Sequence, residues 1–241
     1  MCPSGPKVAL CIGISAYADS PLNNPVNDAE DVATALRGVG YTVTTLFDRA
    51  ATKGGIRQAL EAFSTQLGRG GVAFFYFSGH GMMGPDGKNY MLPVSGVEYY
   101  EDLEDDAISL ERVNARLDGS GCLLHVVVAD ACRSQPPPMK SRSKSALIPR
   151  GFSVLSAAPA EVGSVMVYSC DPGKVSWDGV ASSRNGAFTT ALLRHLTTPD
   201  LHVDTVFSFT ARDCQELTKK QSEPQRPWRS ANLTHEHVCL F

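Results

Sequence analysis

Two apolar runs decide what this chain can fold into. Val72–Phe77 and Leu123–Ala129 are almost unbroken in apolar side chains, with His125 the one interruption. A strand wetted on one face alternates polar and apolar residues, whereas a strand buried on both faces does not. Both runs are therefore predicted to be central strands of a parallel sheet covered by helices on each side. Each is far shorter than the ~20 residues a membrane-crossing helix needs.

The flanking sequence fits the same plan. Val8–Ile14 reads as a buried first strand. Lys7 before it and Ala16-Tyr17-Ala18 after it imitate a secretion signal, but the apolar stretch is at the short limit for one, and the strand is the reading preferred. Asn27-Asp28-Ala29-Glu30 has the form of a capping box, and Val32, Leu36 and Val39 follow at helical spacing. Tyr41–Phe47 is a second strand, and Ile56, Leu60, Phe63 and Leu67 form the stripe of a second helix. Further helices are expected at Ile108–Leu117, Ala187–Leu196 and Val203–Leu217, a strand at Val165–Cys170, and an edge strand at His237–Phe241. This alternation predicts an α/β fold, a mostly parallel central sheet with helices on both faces.

Composition excludes several classes. The chain has 241 residues, 43% of them apolar and 20% charged, which suffices for one sizeable core. The net charge of −3 gives no reason to expect a nucleic acid or an anionic membrane as partner. The seven cysteines are odd in number and include no Cys-x-x-Cys pair, so neither a disulfide scaffold nor a zinc knot is indicated. Most are expected as small core residues in a reducing, cytoplasmic compartment.

In an open parallel sheet, ligands bind beyond the carboxyl ends of the strands. Ser78-Gly79-His80-Gly81 follows the third predicted strand and Asp130-Ala131-Cys132-Arg133 the fourth. A histidine and a cysteine thus leave two strands that can be neighbours. A cysteine nucleophile needs an imidazole to take its proton. The backbone N–H groups of Gly81 and Cys132 are candidates for an oxyanion site.

The spacing of 52 residues between His80 and Cys132 resembles the dyad of the caspase superfamily. Lys7–Ser15 resembles its first strand, Asn27-Asp28-Ala29 an internal segment, and Tyr168–Gly179 with Asn185-Gly186-Ala187-Phe188 its smaller half. The match covers residues 7 to 241, with a large-subunit-like half to 133, a flexible linker at 134–150 and a small-subunit-like half from 151. Within the superfamily the chain is similar to metacaspases, orthocaspases and paracaspases, because Asp130 stands where caspases carry Gln. The resemblance implies a cysteine endopeptidase acting through a thioester, with His80 and Cys132 catalytic and Asp28, Ser78 and Asp130 holding an Arg or Lys side chain. A charge pair at ~4 Å in a partly screened site is worth about 4 kcal/mol before desolvation, enough to set specificity. Taken without the resemblance, Asp28 reads as stabilising a helix N-terminus. Pro25 stands where some metacaspases have a further cysteine, and Lys174 near a position where a paracaspase has an acid.

Two loops carry opposite charge. Glu98–Asp106 has six acidic residues in nine, and Arg133–Arg150 has five basic residues and no acidic one. Lys140, Arg142, Lys144 and Arg150 are candidate self-cleavage sites. The acidic loop has three readings: a solvated face, a Ca²⁺ site of hard oxygen ligands, or a dock for the basic loop. No cofactor is otherwise required. His235-Glu236-His237 is expected at the surface, and Trp177 and Trp228 either line a substrate groove or pack. The expected partners are protein or peptide substrates with basic residues, and the chain itself is expected to be a monomer. The competing readings are a non-catalytic caspase-like scaffold module and a flavodoxin-like binding domain.

Overall fold

The computed structural model describes residues 3–131, the backbone of Cys132, and residues 139–142, 163–171, 174, 176, 183–233 and 238–241. The strands in chain order are β1 (Lys7–Gly13), β2 (Thr42–Phe47), β3 (Val72–Met83), β4 (Asn89–Met91), β5 (Ile108–Ser109), β6 (Leu124–Cys132), β7 (Gly163–Tyr168) and β8 (Trp228–Asn232). The helices are α1 (Pro25–Gly38), α2 (Lys53–Thr65), α3 (Leu103–Asp106), α4 (Leu110–Asp118), α5 (Ala187–Leu193) and α6 (Val203–Thr218). The sheet order is β2-β1-β3-β6-β7-β8, while β4 pairs with the last three residues of β3 and β5 with β4. All the neighbours from β2 to β7 pair parallel, while β8 is antiparallel to β7.

The apolar runs occupy the centre, as a strand buried on both faces must. Phe75 and Phe77 of β3 share one core with Ile56, Leu60 and Phe63 of α2 and with Val113 and Leu117 of α4. Phe74 and Tyr76, one residue out of phase, share the other core with Val32 and Leu36 of α1, Phe188 and Leu192 of α5, and Val203 and Phe207 of α6. The period of two along the strand thus divides one run between two helical layers.

Several boundaries differ from expectation: β3 runs on to Met83, β7 is Gly163–Tyr168 and α5 ends at Leu193. The edge strand is Trp228–Asn232, whereas in the terminal segment Cys239 makes only an isolated bridge to His202. The last residues turn inward instead. Val238, Cys239 and Leu240 are buried, Val203 N–H donates to the Val238 carbonyl and Tyr41 Oη to that of Leu240. The helix expected from Ile108 begins at Leu110, because Ile108 and Ser109 pair with Met91 and Tyr90. The capping box does not form. α1 starts two residues earlier than that box, at Pro25, with Asn24 as its cap residue. The Asp28 carboxylate is spent outside the helix, as described below. α1 can lie this close to the sheet because residue 13 is glycine: a Cβ there would sit 2.4 Å from the Pro25 carbonyl oxygen. Among the described residues no helix is long and apolar enough to cross a membrane.

Candidate active site

β3 runs beyond the apolar segment and carries Ser78, His80 and Gly81 as strand residues. Its register with β6 sets Ser78 opposite Asp130 and His80 opposite Cys132. The expected juxtaposition of histidine and cysteine is therefore a property of the sheet backbone.

His80 is buried and fixed at several atoms. Its Nε2 lies 2.7 Å from the Ser20 carbonyl oxygen and 3.0 Å from Ser20 Oγ. A carbonyl only accepts, so Nε2 carries the hydrogen and Nδ1 is the basic nitrogen of the neutral ring. The His80 backbone N–H donates to Tyr17 Oη at 3.0 Å, and that hydroxyl donates onward to the Leu92 carbonyl at 3.1 Å. The Tyr17 ring also packs on the imidazole, with 4.4 Å between centroids. Gly79 makes room for this, since a Cβ there would fall 2.7 Å from Tyr17 Oη.

Strand alternation fixes where the two candidate amides point. The Ser78 carbonyl accepts from Ile14 on the β1 side, and the His80 carbonyl accepts from Leu92 beyond β4. Even-numbered residues here thus direct their backbone groups toward β1 and β4, and the Gly81 amide faces the side where β6 runs. On β6, the Ala129 carbonyl accepts from Ser169 on the β7 side. Three residues later, the Cys132 amide faces β3. Both N–H groups face the neighbouring strand at the carboxyl ends of β3 and β6, where His80 and Cys132 are register partners.

The two candidate pocket acids are also brought together. Asp28 and Asp130 are 2% and 3% exposed, so each carboxylate needs donors to offset its desolvation. Asp28 Oδ2 accepts from Ser78 Oγ at 3.3 Å, and Oδ1 from Gly186 N–H at 3.0 Å. Asp130 Oδ1 accepts from Ser176 Oγ at 3.1 Å, and Oδ2 from Thr189 Oγ1 at 2.9 Å. Both charges bear on one buried phenol: Tyr76 is pushed well above the usual range, first by burial and then by Asp28 and Asp130. Sequence reasoning missed Tyr17, Ser20, Ser176 and Thr189. Thr189 directly follows Asn185-Gly186-Ala187-Phe188 and Ser176 lies within Tyr168–Gly179, which are the signals available for these two.

The other described cysteines and histidines have structural roles. Cys11, Cys122, Cys170, Cys214 and Cys239 are buried and form no disulfide with one another. Burial pushes the Cys11 thiol up to about 12 and those of Cys122 and Cys214 upward as well, which denies them a useful thiolate. His125 bonds Asn114 Oδ1 inside the core, and burial lowers it to about 4. His195 faces Asp213, and His202 Nδ1 accepts from Asp204 N–H.

The acidic loop holds part of the basic one. Lys140 exchanges backbone bonds with Glu98 and Tyr100, and its ammonium pairs with Glu98. Arg142 makes a two-pronged pair with Asp102 and lies over the Tyr99 ring, while Glu101 accepts from Ser141 Oγ and Arg142 N–H. Among the described residues no group of three or more His, Cys, Asp or Glu side chains is arranged for a metal ion. These carboxylates do not fit a Ca²⁺ cage while they hold Lys140 and Arg142. Lys144, Arg150, Trp177 and His235–His237 lie outside the described residues. Trp228 packs on the Tyr168 ring and Lys174 pairs with Glu223. Pro25 is buried as the first residue of α1.

A sequence model of the caspase domain family matches residues 6–238, nearly the whole chain. The chain belongs to the caspase domain family. The fold recurs in the crystal structure of a protein from Geobacter sulfurreducens, at a TM-score of 0.67 and 20% identity, over 96% of this chain and 95% of that one. No curated protein matches the sequence significantly. Caspase-domain membership makes this a chain of a cysteine peptidase family, and it accounts for the mostly parallel sheet with helices on both faces.

Proposed function

We propose that this caspase-domain chain is a cysteine endopeptidase that cleaves proteins or peptides after Arg or Lys. One observation carries the reading. His80 and Cys132 are register partners at the ends of two adjacent strands, and in the same register Ser78, which donates to the buried Asp28, stands opposite the buried Asp130.

In this mechanism His80 Nδ1 takes the Cys132 thiol proton, and the sulfur attacks the scissile carbonyl. The carbonyl oxygen becomes an oxyanion held by the amides of Gly81 and Cys132. His80 returns the proton to the departing amine as the C–N bond breaks, which leaves a thioester. Water, activated by the same imidazole, then cleaves the C–S bond and regenerates the thiol. Asp28 and Asp130 attract a cationic side chain before the scissile bond and repel an acidic one, with Ser78 between them.

Self-processing in the 133–150 loop belongs to the same reading, with Lys140, Arg142, Lys144 and Arg150 as the candidate sites. Lys140 and Arg142 must leave the acidic loop before they can enter the pocket.

The test is hydrolysis of fluorogenic peptides ending in Arg, Lys or Asp, with and without calcium, by the wild type and Cys132→Ala. Turnover of the basic peptides that disappears in the variant supports the assignment. Cleavage after Asp overturns the pocket reading, and no cleavage under any condition favours a non-catalytic scaffold module.

A further inference from the structure

Asp130 is held in a way that a simple pocket acid would not need. Each of its oxygens receives a hydroxyl, and each hydroxyl is itself backed by a second donor. On one side Thr189 Oγ1 has a single hydrogen, which it gives to Asp130 Oδ2. The 2.6 Å contact between Tyr76 Oη and Thr189 Oγ1 must then run from the phenol to the threonine. Tyr76 keeps its proton, because burial and the two carboxylates hold its phenol well above the usual range. On the other side Ser176 Oγ donates to Asp130 Oδ1, and Gln225 Nε2 donates to Ser176 Oγ at 3.1 Å. The Gln225 amide is fixed in turn by the Ser169 carbonyl at 2.8 Å. Chains of this kind polarise one another, so the last bond, onto the carboxylate, is the strengthened one.

We propose that Thr189 and Ser176, driven by Tyr76 and Gln225, are positioning residues that fix the Asp130 carboxylate for recognition of a cationic side chain. The inference rests on the pocket reading above and deepens it: selectivity for Arg or Lys depends on hydroxyls as well as on the two acids. Ser176, Thr189 and Gln225 all follow the 133–150 loop in sequence, while Asp130 precedes it. The half of the chain after the loop therefore sets the pocket acid of the half before it. Gly186 N–H does the same for Asp28.

The test uses the catalytically silent Cys132→Ala chain, so that binding is read without turnover. Calorimetry compares a peptide ending in arginine with the same peptide ending in citrulline, which has the shape without the charge. The Thr189 protein should prefer arginine by about tenfold or more. Thr189→Val should cut that preference to within about threefold while citrulline affinity is unchanged, and Thr189→Ser, which restores the hydroxyl, should recover it. A preference that survives Thr189→Val overturns the inference. So does an equal loss of both peptides, which marks a structural role. If Cys132 proteins with native Thr189 fail to turn over any peptide while the arginine preference and its hydroxyl dependence persist, the peptidase reading falls and the positioning role stands. If native Thr189 shows no arginine preference, the positioning role falls, and turnover assays judge the peptidase reading separately.

Discussion

His80 is held by groups that a sequence reading would not rank. The Tyr17 hydroxyl stands between the His80 N–H and the Leu92 carbonyl, where an ordinary strand pair would bond directly. Removing it with Tyr17→Phe leaves both groups short of a partner in a buried place, which costs about 1–3 kcal/mol. If the imidazole is the proton carrier, kcat should fall about tenfold with KM within twofold, measured by steady-state hydrolysis of an arginyl peptide. A change confined to KM would move Tyr17 into substrate binding. Gly79→Ala tests the same spot by crowding. Its Cβ would meet Tyr17 Oη at 2.7 Å and Phe77 Cζ at 2.9 Å. A loss of about 1–3 kcal/mol is expected in urea unfolding, with activity reduced beyond what the stability loss explains. His80 and Cys132 themselves were legible from their place after apolar runs, because strand ends are where a parallel sheet offers groups to a ligand.

At the scale of elements, two dockings shape the site. α1 reaches the sheet over Gly13, and its Asp28 meets Ser78 from β3 and Gly186 ahead of α5. Arg184 reinforces the approach by pairing with Glu30 and Asp31, and Asn27 reaches the Arg184 carbonyl. Gly13→Ala should push α1 outward, destabilise the fold by about 1–3 kcal/mol and weaken discrimination for arginine more than it weakens binding of neutral peptides. The second docking is that of 139–142 on the acidic loop. Each exposed ion pair there is worth only a few tenths to about 1 kcal/mol. The stacked, two-pronged Arg142 and the backbone bonds of Lys140 therefore supply the hold together. In a Cys132→Ala chain, Glu101→Ala combined with Asp102→Ala should make the bond after Arg142 more sensitive to trypsin, by severalfold in initial rate on a gel. An unchanged rate would mean that the docking does not shield Arg142. The charge complementarity of the two loops was visible in sequence, but their strand-like pairing was not, since neither stretch carries a period.

For the molecule as a whole, the buried His125 links stability to pH. It bonds Asn114 inside the sheet core, and its folded form resists protonation down to about 4, against an ordinary value of 6.5. A histidine lowered on folding binds more protons when unfolded, so stability rises with pH through this window. Acidification from about pH 6.5 to 4 should therefore remove about 3 kcal/mol, and little of this contribution is left to change above neutrality. His125→Gln should flatten that part of the profile, as followed by urea unfolding at a series of pH values. A wild-type profile already flat between pH 6.5 and 4 would show the imidazole to be less shielded than its surroundings imply.

The sequence by itself determined the central sheet and the positions of its reactive ends. The buried runs at 72–77 and 123–129 carry their burial in their own composition, and a strand that is apolar on both faces has few places to go other than the middle of a covered parallel sheet. His80 and Cys132 follow from those runs by counting. Only the tertiary structure decided what surrounds the two acids. Gly186 reaches Asp28 across 158 residues of chain, and Thr189 and Ser176 reach Asp130 across 59 and 46. A hydroxyl or an amide chosen for a distant carboxylate leaves no mark on the local period of its own helix or loop. The same reason put the edge strand at 228–232 instead of the chain end. Val238, Cys239 and Leu240 are buried instead, Val238 and Leu240 in the core that α1, α5 and α6 share.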